Sequence, residues 1–422
     1  MNDILILFIQ VSLILSFFSS NLVLQNIYRQ KKIELNPDII IYLNLILILS
    51  FFKFDLIYLF GSIIALNIFL VFKNKEDLVN PLITFLIIFF FIFTLSITIF
   101  RELKLGWDAQ EFHIFKTIIL FNSGTFFDLQ NTIQNNIPHL GHSIWAFFWK
   151  ISIIDHEFFG RISYVTIFIF VCYRVVVKKK ITFFNFTLLT LFIFLSYDHE
   201  QFNGYQEILL FSFILLASDF ILDDKKNLNL VNTISFLLLL NLIIWTKQEG
   251  IFISLILSTI LFFKTKNKKN YSYLVLGNVL LIVFQILIFY FSTGHYEIQT
   301  SDYSGIFNNF FSMIFDIERY YHILIEYCIT IIQYPIVLVV LIYILSKGTL
   351  RDKEKMLLSF TILSILFCIA AYIFTNHNSG YVYHIKTSMS RFIYSISAFY
   401  WIYFLNEFSL LFKKKFNEIN LK

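Results

Sequence analysis

The stretch His139-Leu140-Gly141-His142-Ser143-Ile144-Trp145-Ala146-Phe147-Phe148-Trp149-Lys150 decides the topology of this chain. It opens an apolar run over 139–154 that is about four residues short of the ~20 a membrane-crossing helix needs. If the run crosses, Lys178-Lys179-Lys180 and every later basic cluster fall on the outer side. If it is an interfacial or re-entrant helix, they all return to the cytoplasm, where short loops concentrate Lys and Arg. Its length, its two histidines and its two tryptophans favour the interfacial reading.

Outward from it the chain is mostly hydrocarbon. Of its 422 residues 58% are hydrophobic and only 14% charged, where a soluble protein carries about 25% charged residues. The mean hydropathy is +0.74. Apolar runs at 4–24, 38–53, 55–72 and 82–100 precede the deciding stretch. Others follow at 158–177, 181–197, 205–222, 228–245, 250–263, 271–292, 318–346, 356–375 and 389–412. The expected fold is therefore all-α, a polytopic transmembrane helix bundle of about 13 spans with interfacial helices in a large external loop at 101–157.

Arg29, Lys31, Lys32, Lys73, Lys75, Lys178–Lys180, Lys225-Lys226, Lys264–Lys269, Lys347–Lys355 and Lys413–Lys415 become cytoplasmic in this topology. The net charge of +5 is spent on these juxtamembrane clusters, so nucleic acid is not an expected partner. All nine histidines (His113, His139, His142, His156, His199, His295, His322, His377, His384) then fall in outer loops or at outer helix ends. The run beginning Met1-Asn2-Asp3 lacks the basic region of a cleaved signal and is expected to be a retained span. Cys172, Cys328 and Cys368 sit in apolar runs, with neither metal spacing nor a disulfide framework. Pro335 is expected to kink the long span that holds it.

Four polar islands interrupt the hydrocarbon. In Gly106-Trp107-Asp108-Ala109-Gln110-Glu111-Phe112-His113, Asp108 and Glu111 stand about 60° apart if 108–121 is a helix, with Phe112, Phe115, Ile118 and Ile119 as its apolar stripe. Carboxylates beside hydrocarbon suit general-base work or metal binding; an acidic first turn would also favour the helix dipole. In the second island, Asp198 and Glu200 suit a solvated loop. Glu207 precedes Ile208-Leu209-Leu210-Phe211, and an ionisable residue at that depth points to function. The third, Trp245-Thr246-Lys247-Gln248-Glu249-Gly250, is either a cavity-lining break with a phosphate-binding lysine or a plain hairpin with a local ion pair. The fourth brings His384, Lys386 and Arg391 to the outer head of the last span, against the positive-inside bias, as an anionic partner or interfacial anchoring would explain. His139 and His142 have an i, i+3 spacing that metal sites use, without a third ligand at fixed spacing. No metal site is assigned, and a divalent cation is the one cofactor the carboxylates leave open. No phosphate loop, HExxH or Gly-x-Ser-x-Gly motif is present.

The order of these islands resembles the GT-C superfamily of membrane glycosyltransferases, in its mannosyl- and aminoarabinose-transferase branch. The likeness rests on Asp108…Glu111-Phe112, Ser123-Gly124-Thr125-Phe126, Ile137-Pro138-His139, Gly204-Tyr205-Gln206-Glu207 and Lys247-Gln248-Glu249-Gly250. It has a weaker echo at Ser390-Arg391. Here the acidic pair is separated by two residues, and no Lys-Pro-Pro-Leu entry is present. The resemblance implies N-terminal added helices over 1–81, a catalytic module over 82–263 and C-terminal helices over 264–422.

It further implies a donor sugar on a polyprenyl phosphate and a glycan, lipid or protein acceptor. The active site would lie on the periplasmic face of a bacterial inner membrane. Asp108 would be the general base of an inverting transfer, with Glu111 and Glu207 orienting the acceptor or binding sugar hydroxyls. Lys247, His384, Lys386 and Arg391 would steady the departing phosphate. His113, His139, His142 and Glu249 would line the substrate site. A lipid-linked-sugar flippase is the rival class, and would place charges at mid-membrane in an inverted repeat. A polysaccharide polymerase or ligase would use paired Arg and His in a late external loop, and the loop at 293–317 has His295 but no Arg.

Overall fold

A backbone amide in hydrocarbon can bond only within the protein, which confines so apolar a chain to helices or a closed barrel. In the computed structural model every regular element among the described residues is helical. The structure describes residues 3–23, 35, 37–53, 55–73, 79–102, 104–132, 137–177, 181–197, 203–223, 228–265, 268–293, 311–373 and 380–420. Lys31, Lys32, Lys75, Lys178–Lys180, Lys225-Lys226, Asp198, Glu200, His199, His295 and His377 lie outside them.

The helices are α1 (Asp3–Phe17), α2 (Pro37–Leu49), α3 (Leu56–Lys73), α4 (Val79–Glu102), α5 (Ile114–Phe121), α6 (Leu140–Lys150), α7 (Phe158–Val176) and α8 (Phe183–Ser196). They continue as α9 (Glu207–Leu222), α10 (Leu230–Thr246), α11 (Glu249–Lys264), α12 (Lys268–Thr293), α13 (Ile317–Gln333), α14 (Pro335–Leu345), α15 (Asp352–Ile373) and α16 (Tyr381–Asn420). Each expected apolar run carries a helix. Among the described residues five helices (α3, α4, α7, α12, α15) are long and apolar enough to cross a membrane, six if α13 and α14 form one broken span.

Helices apolar all round belong in a core or in lipid, and this bundle holds both kinds. Every residue of α9 is buried, and all but Arg174 of α7. At the periphery large apolar side chains face outward, among them Phe69, Phe90, Leu276 and Phe291. So wide an apolar exterior is foreign to a monomeric soluble protein and compatible with a bilayer. Buried amides lock helices together where apolar faces are interchangeable. Asn44 Nδ2 donates to the Leu238 carbonyl at 3.1 Å, Asn241 Nδ2 to Asn44 Oδ1 at 2.8 Å, and Asn67 Nδ2 to the Ser16 carbonyl at 2.7 Å.

The deciding stretch does not cross the bundle. Arg161, fully buried near the head of α7, donates to the Lys104 carbonyl just after α4 at 3.0 Å, and is itself clamped by Glu157 at 2.8 Å. The chain therefore leaves α4 and enters α7 at one end of the bundle, and α6, at about 16 Å, is tucked between. It does not lie on the surface as expected: Leu140 through Phe148 are all buried, with Phe147 and Phe148 against Phe17. The cause is the small Gly141 and Gly160. A Cβ on Gly160 would lie 2.3 Å from the Trp145 carbonyl oxygen, so α6 and α7 approach backbone to backbone.

The expected helix over 108–121 is also corrected. Residues Ala109–His113 form a π-turn ahead of α5, and the wider turn takes Asp108 and Glu111 off a common face. Its polarity is inverted as well: Phe115 and Ile118 face out while His113, Lys116 and Thr117 are buried. Pro335 does more than kink its span, since α13 and α14 meet at 99°. Its missing N–H and ring cannot continue α13, and it serves as the first residue of α14.

α16 is pinned in its second half, at Tyr403 and Glu407. Glu354, fully buried, accepts from Lys347 Nζ at 2.7 Å, from the Tyr403 hydroxyl at 2.8 Å and from the Arg351 guanidinium. Arg351 also pairs with Glu407 at 2.8 Å.

Candidate active site

Four chain segments meet where α4, α9, α10 and α11 begin or end, against the Arg391 turn of α16. The first meeting needs glycine. Gly106 N–H donates to the Asn203 carbonyl at 2.8 Å, and a Cβ on Gly106 would lie 2.3 Å from the Tyr205 ring. Gly204, at φ +92°, turns the chain into α9 in a backbone region L side chains avoid. Asp108 stands two residues beyond Gly106, and Gln206 and Glu207 stand two and three beyond Gly204.

Glu207 is the floor, with a side chain 2% exposed. Its Oε1 accepts from Lys247 Nζ at 2.8 Å and lies 3.6 Å from Arg391 Nε. Lys247 is 3.3 Å from Glu249, and the other edge of the Arg391 guanidinium donates to Asp108 Oδ2. Arg391 also sits over the Tyr205 ring, 5.5 Å from its centroid. Asp108 and Arg391 are 23% and 25% exposed, so the cluster is closed beneath and open above. Burial works against the Lys247 charge, but Glu207 and Glu249 outweigh it and raise its pKa. The hairpin at Lys247 is tight because a Cβ on Gly250 would meet the Ile243 carbonyl oxygen at 2.0 Å.

Beside this cluster lies a buried layer of histidines. His113 Nδ1 and His142 Nε2 are hydrogen-bonded at 2.9 Å, and Gln206 Nε2 approaches His142 Nε2 at 3.2 Å. His139 Nε2 bonds the Ser50 hydroxyl at 3.0 Å, ringed by Phe51, Phe126 and Trp245. The layer ties the Asp108 segment to the Glu207 segment through α6. Burial, then the Lys116 charge, lowers His113 and His139 to about 3; burial also takes His142 well down and Lys116 to about 7.

A histidine that resists protonation when folded, and accepts it near 6.5 when unfolded, stabilises fully above pH 6.5 and progressively less as pH falls toward 3. His113 and His139, held near 3, each cost ~2 kcal/mol at pH 5. The thermal midpoint in detergent should fall between pH 7.5 and pH 5, and less steeply in His142→Gln. Equal midpoints for the wild type at both pH values would contradict neutral buried histidines.

Of the residues expected from sequence, Asp108, Glu207, Lys247, Glu249 and Arg391 share the cluster, and His113, His139 and His142 form the adjacent layer. Glu111 does not join: it is exposed and pairs with no described residue. His384 lies on the Arg391 face of α16, about 10 Å further out, with its ring against Tyr372. Lys386 is exposed and about 140° around the helix from Arg391. Tyr205, Gln206, Ser50 and Lys116 were not anticipated. Tyr205 and Gln206 sit inside the island that flagged Glu207, and Lys116 is a lone cation in an apolar stretch; Ser50 carried no signal. Among the described residues no three His, Cys, Asp or Glu side chains converge as ligands for a metal ion. Comparison with family models, curated proteins and solved structures found no match for this chain.

Proposed function

We propose that the chain is an integral-membrane glycosyltransferase. It moves a sugar from a polyprenyl phosphate to an acceptor hydroxyl at the periplasmic face of a bacterial inner membrane, through a bundle of about thirteen crossings. The observation that carries this reading is the meeting of Asp108, Glu207, Lys247 and Arg391, from four distant segments, at one open-topped end of the bundle.

The reaction asks for what such a cluster can supply. The acceptor oxygen forms a bond to the anomeric carbon as the carbon–phosphate oxygen bond breaks. Asp108 takes the acceptor proton, and the bonding pair leaves with the lipid phosphate toward Arg391 and Lys247. A single displacement inverts the anomeric centre. Glu207 holds both cations in place, Glu249 faces sugar hydroxyls, and His384 meets the substrate further out. No role is assigned to Glu111, and Lys386 is an interfacial anchor.

The test is to incubate purified protein in nanodiscs with a panel of polyprenyl-phosphate sugars and acceptor extracts, measuring release of lipid phosphate. Acceptor-dependent release from at least one donor is expected. No release across hexosyl and pentosyl donors would remove the transferase reading.

A further inference from the structure

The proposed base is already engaged. Asp108 Oδ2 accepts from Arg391, whose other edge faces the buried Glu207 and whose plane is backed by the Tyr205 ring. A guanidinium held on two sides presents a planar fork to one remaining partner, and that fork suits phosphate as well as carboxylate. In the structure the partner is a side chain of the protein itself, attached to an open rim where Trp107 is 64% exposed. The carboxylate thus occupies a seat whose geometry fits an anion arriving from outside.

We infer that Asp108 occupies the phosphate seat on Arg391, and that a lipid phosphate binds there by displacing it, which releases the base only when the donor is in place. The exchange is one anion for another on a single guanidinium, so it needs no movement of α16. It also imposes an order. The donor binds first, and the acceptor hydroxyl then meets a carboxylate whose Oδ2 is no longer held by Arg391. The inference rests on the transferase reading for the owner of the phosphate, but the seat itself is testable without any transfer.

Binding is measured in nanodiscs of neutral phospholipid carrying decaprenyl phosphate, with unphosphorylated decaprenol and added inorganic phosphate as separate arms. Trp107 emission, taken as wild type minus Trp107→Phe, is the readout. Wild type should respond to decaprenyl phosphate and not to decaprenol. Asp108→Asn should bind decaprenyl phosphate about tenfold more tightly, because the competing anion is gone. Glu249→Gln removes a carboxylate that touches Lys247 but not Arg391, and should tighten binding by less than about threefold. Competition by inorganic phosphate at millimolar levels would identify the bare anion as sufficient; its absence would add the prenyl chain as a requirement.

Equal or weaker binding by Asp108→Asn overturns the seat, as does a Glu249→Gln effect as large as that of Asp108→Asn. Should Asp108→Asn not fold, Asp108→Ser gives the same reading. The two proposals fail separately. Tightening without any sugar transfer keeps the seat and removes the transferase, whereas transfer without tightening does the reverse.

Discussion

Asp108→Asn should lower the maximal rate of lipid-phosphate release at least about a hundredfold, the lower bound for a positioned general base. The substitution is nearly isosteric, and its amide oxygen can still accept from Arg391, so the ion-pair geometry needs little repair. An amide cannot carry away the acceptor's proton, so the loss should fall on kcat. The donor should bind at least as well as before. Monodisperse protein of unchanged thermal midpoint would show that chemistry alone was removed. A wild-type rate in this variant would transfer the base assignment elsewhere in the cluster.

Glu207→Gln should act on stability before it acts on rate. Glu207 is 2% exposed and is the counter-charge for Lys247, 21% exposed, and Arg391, 25% exposed. Breaking a buried pair by removing one partner costs about 3–5 kcal/mol, because the remaining charge is stranded. Both cations keep some contact with solvent, Arg391 retains Asp108 and Lys247 retains Glu249, so a loss of no more than about 3 kcal/mol is expected. Lys247→Met in the same chain removes the cation that has lost its buried partner and should recover part of the loss, as coupled neighbours do. Thermal unfolding in one detergent across the two single variants and the double variant measures this. A Glu207→Gln midpoint equal to that of the wild type would mean that Glu207 bears no such load.

How much of this was legible beforehand depends on what kind of information each segment carries. The helices were legible because each is a long apolar run closed by polar residues. The islands were legible because Asp108, Glu207, Lys247 and Arg391 interrupt hydrocarbon at a cost that packing does not explain. Their partners were not. Asp108 and Arg391 are 283 positions apart, and in helices such as α9 nearly every position is apolar, so no stripe says which face looks inward.

For the same reason the burial of α6 escaped notice: its tryptophans suit an interface as well as a core. The inverted polarity of α5 and the 99° break at Pro335 depend on what surrounds the segment. Local sequence does not record that. Glu111 was misjudged because a π-turn changes the angular spacing that an α-helix would have imposed.

The helix that carries Arg391 is the same unbroken rod that Glu354 grips through Tyr403. Twelve residues, or about 18 Å of rise, separate the two positions, with no proline or glycine between them to absorb a bend. A rod anchored in this way cannot piston. In the proposed reaction the exchange of one anion for another would therefore fall to the Arg391 side chain and the loop bearing Asp108, and not to a shift of the whole helix.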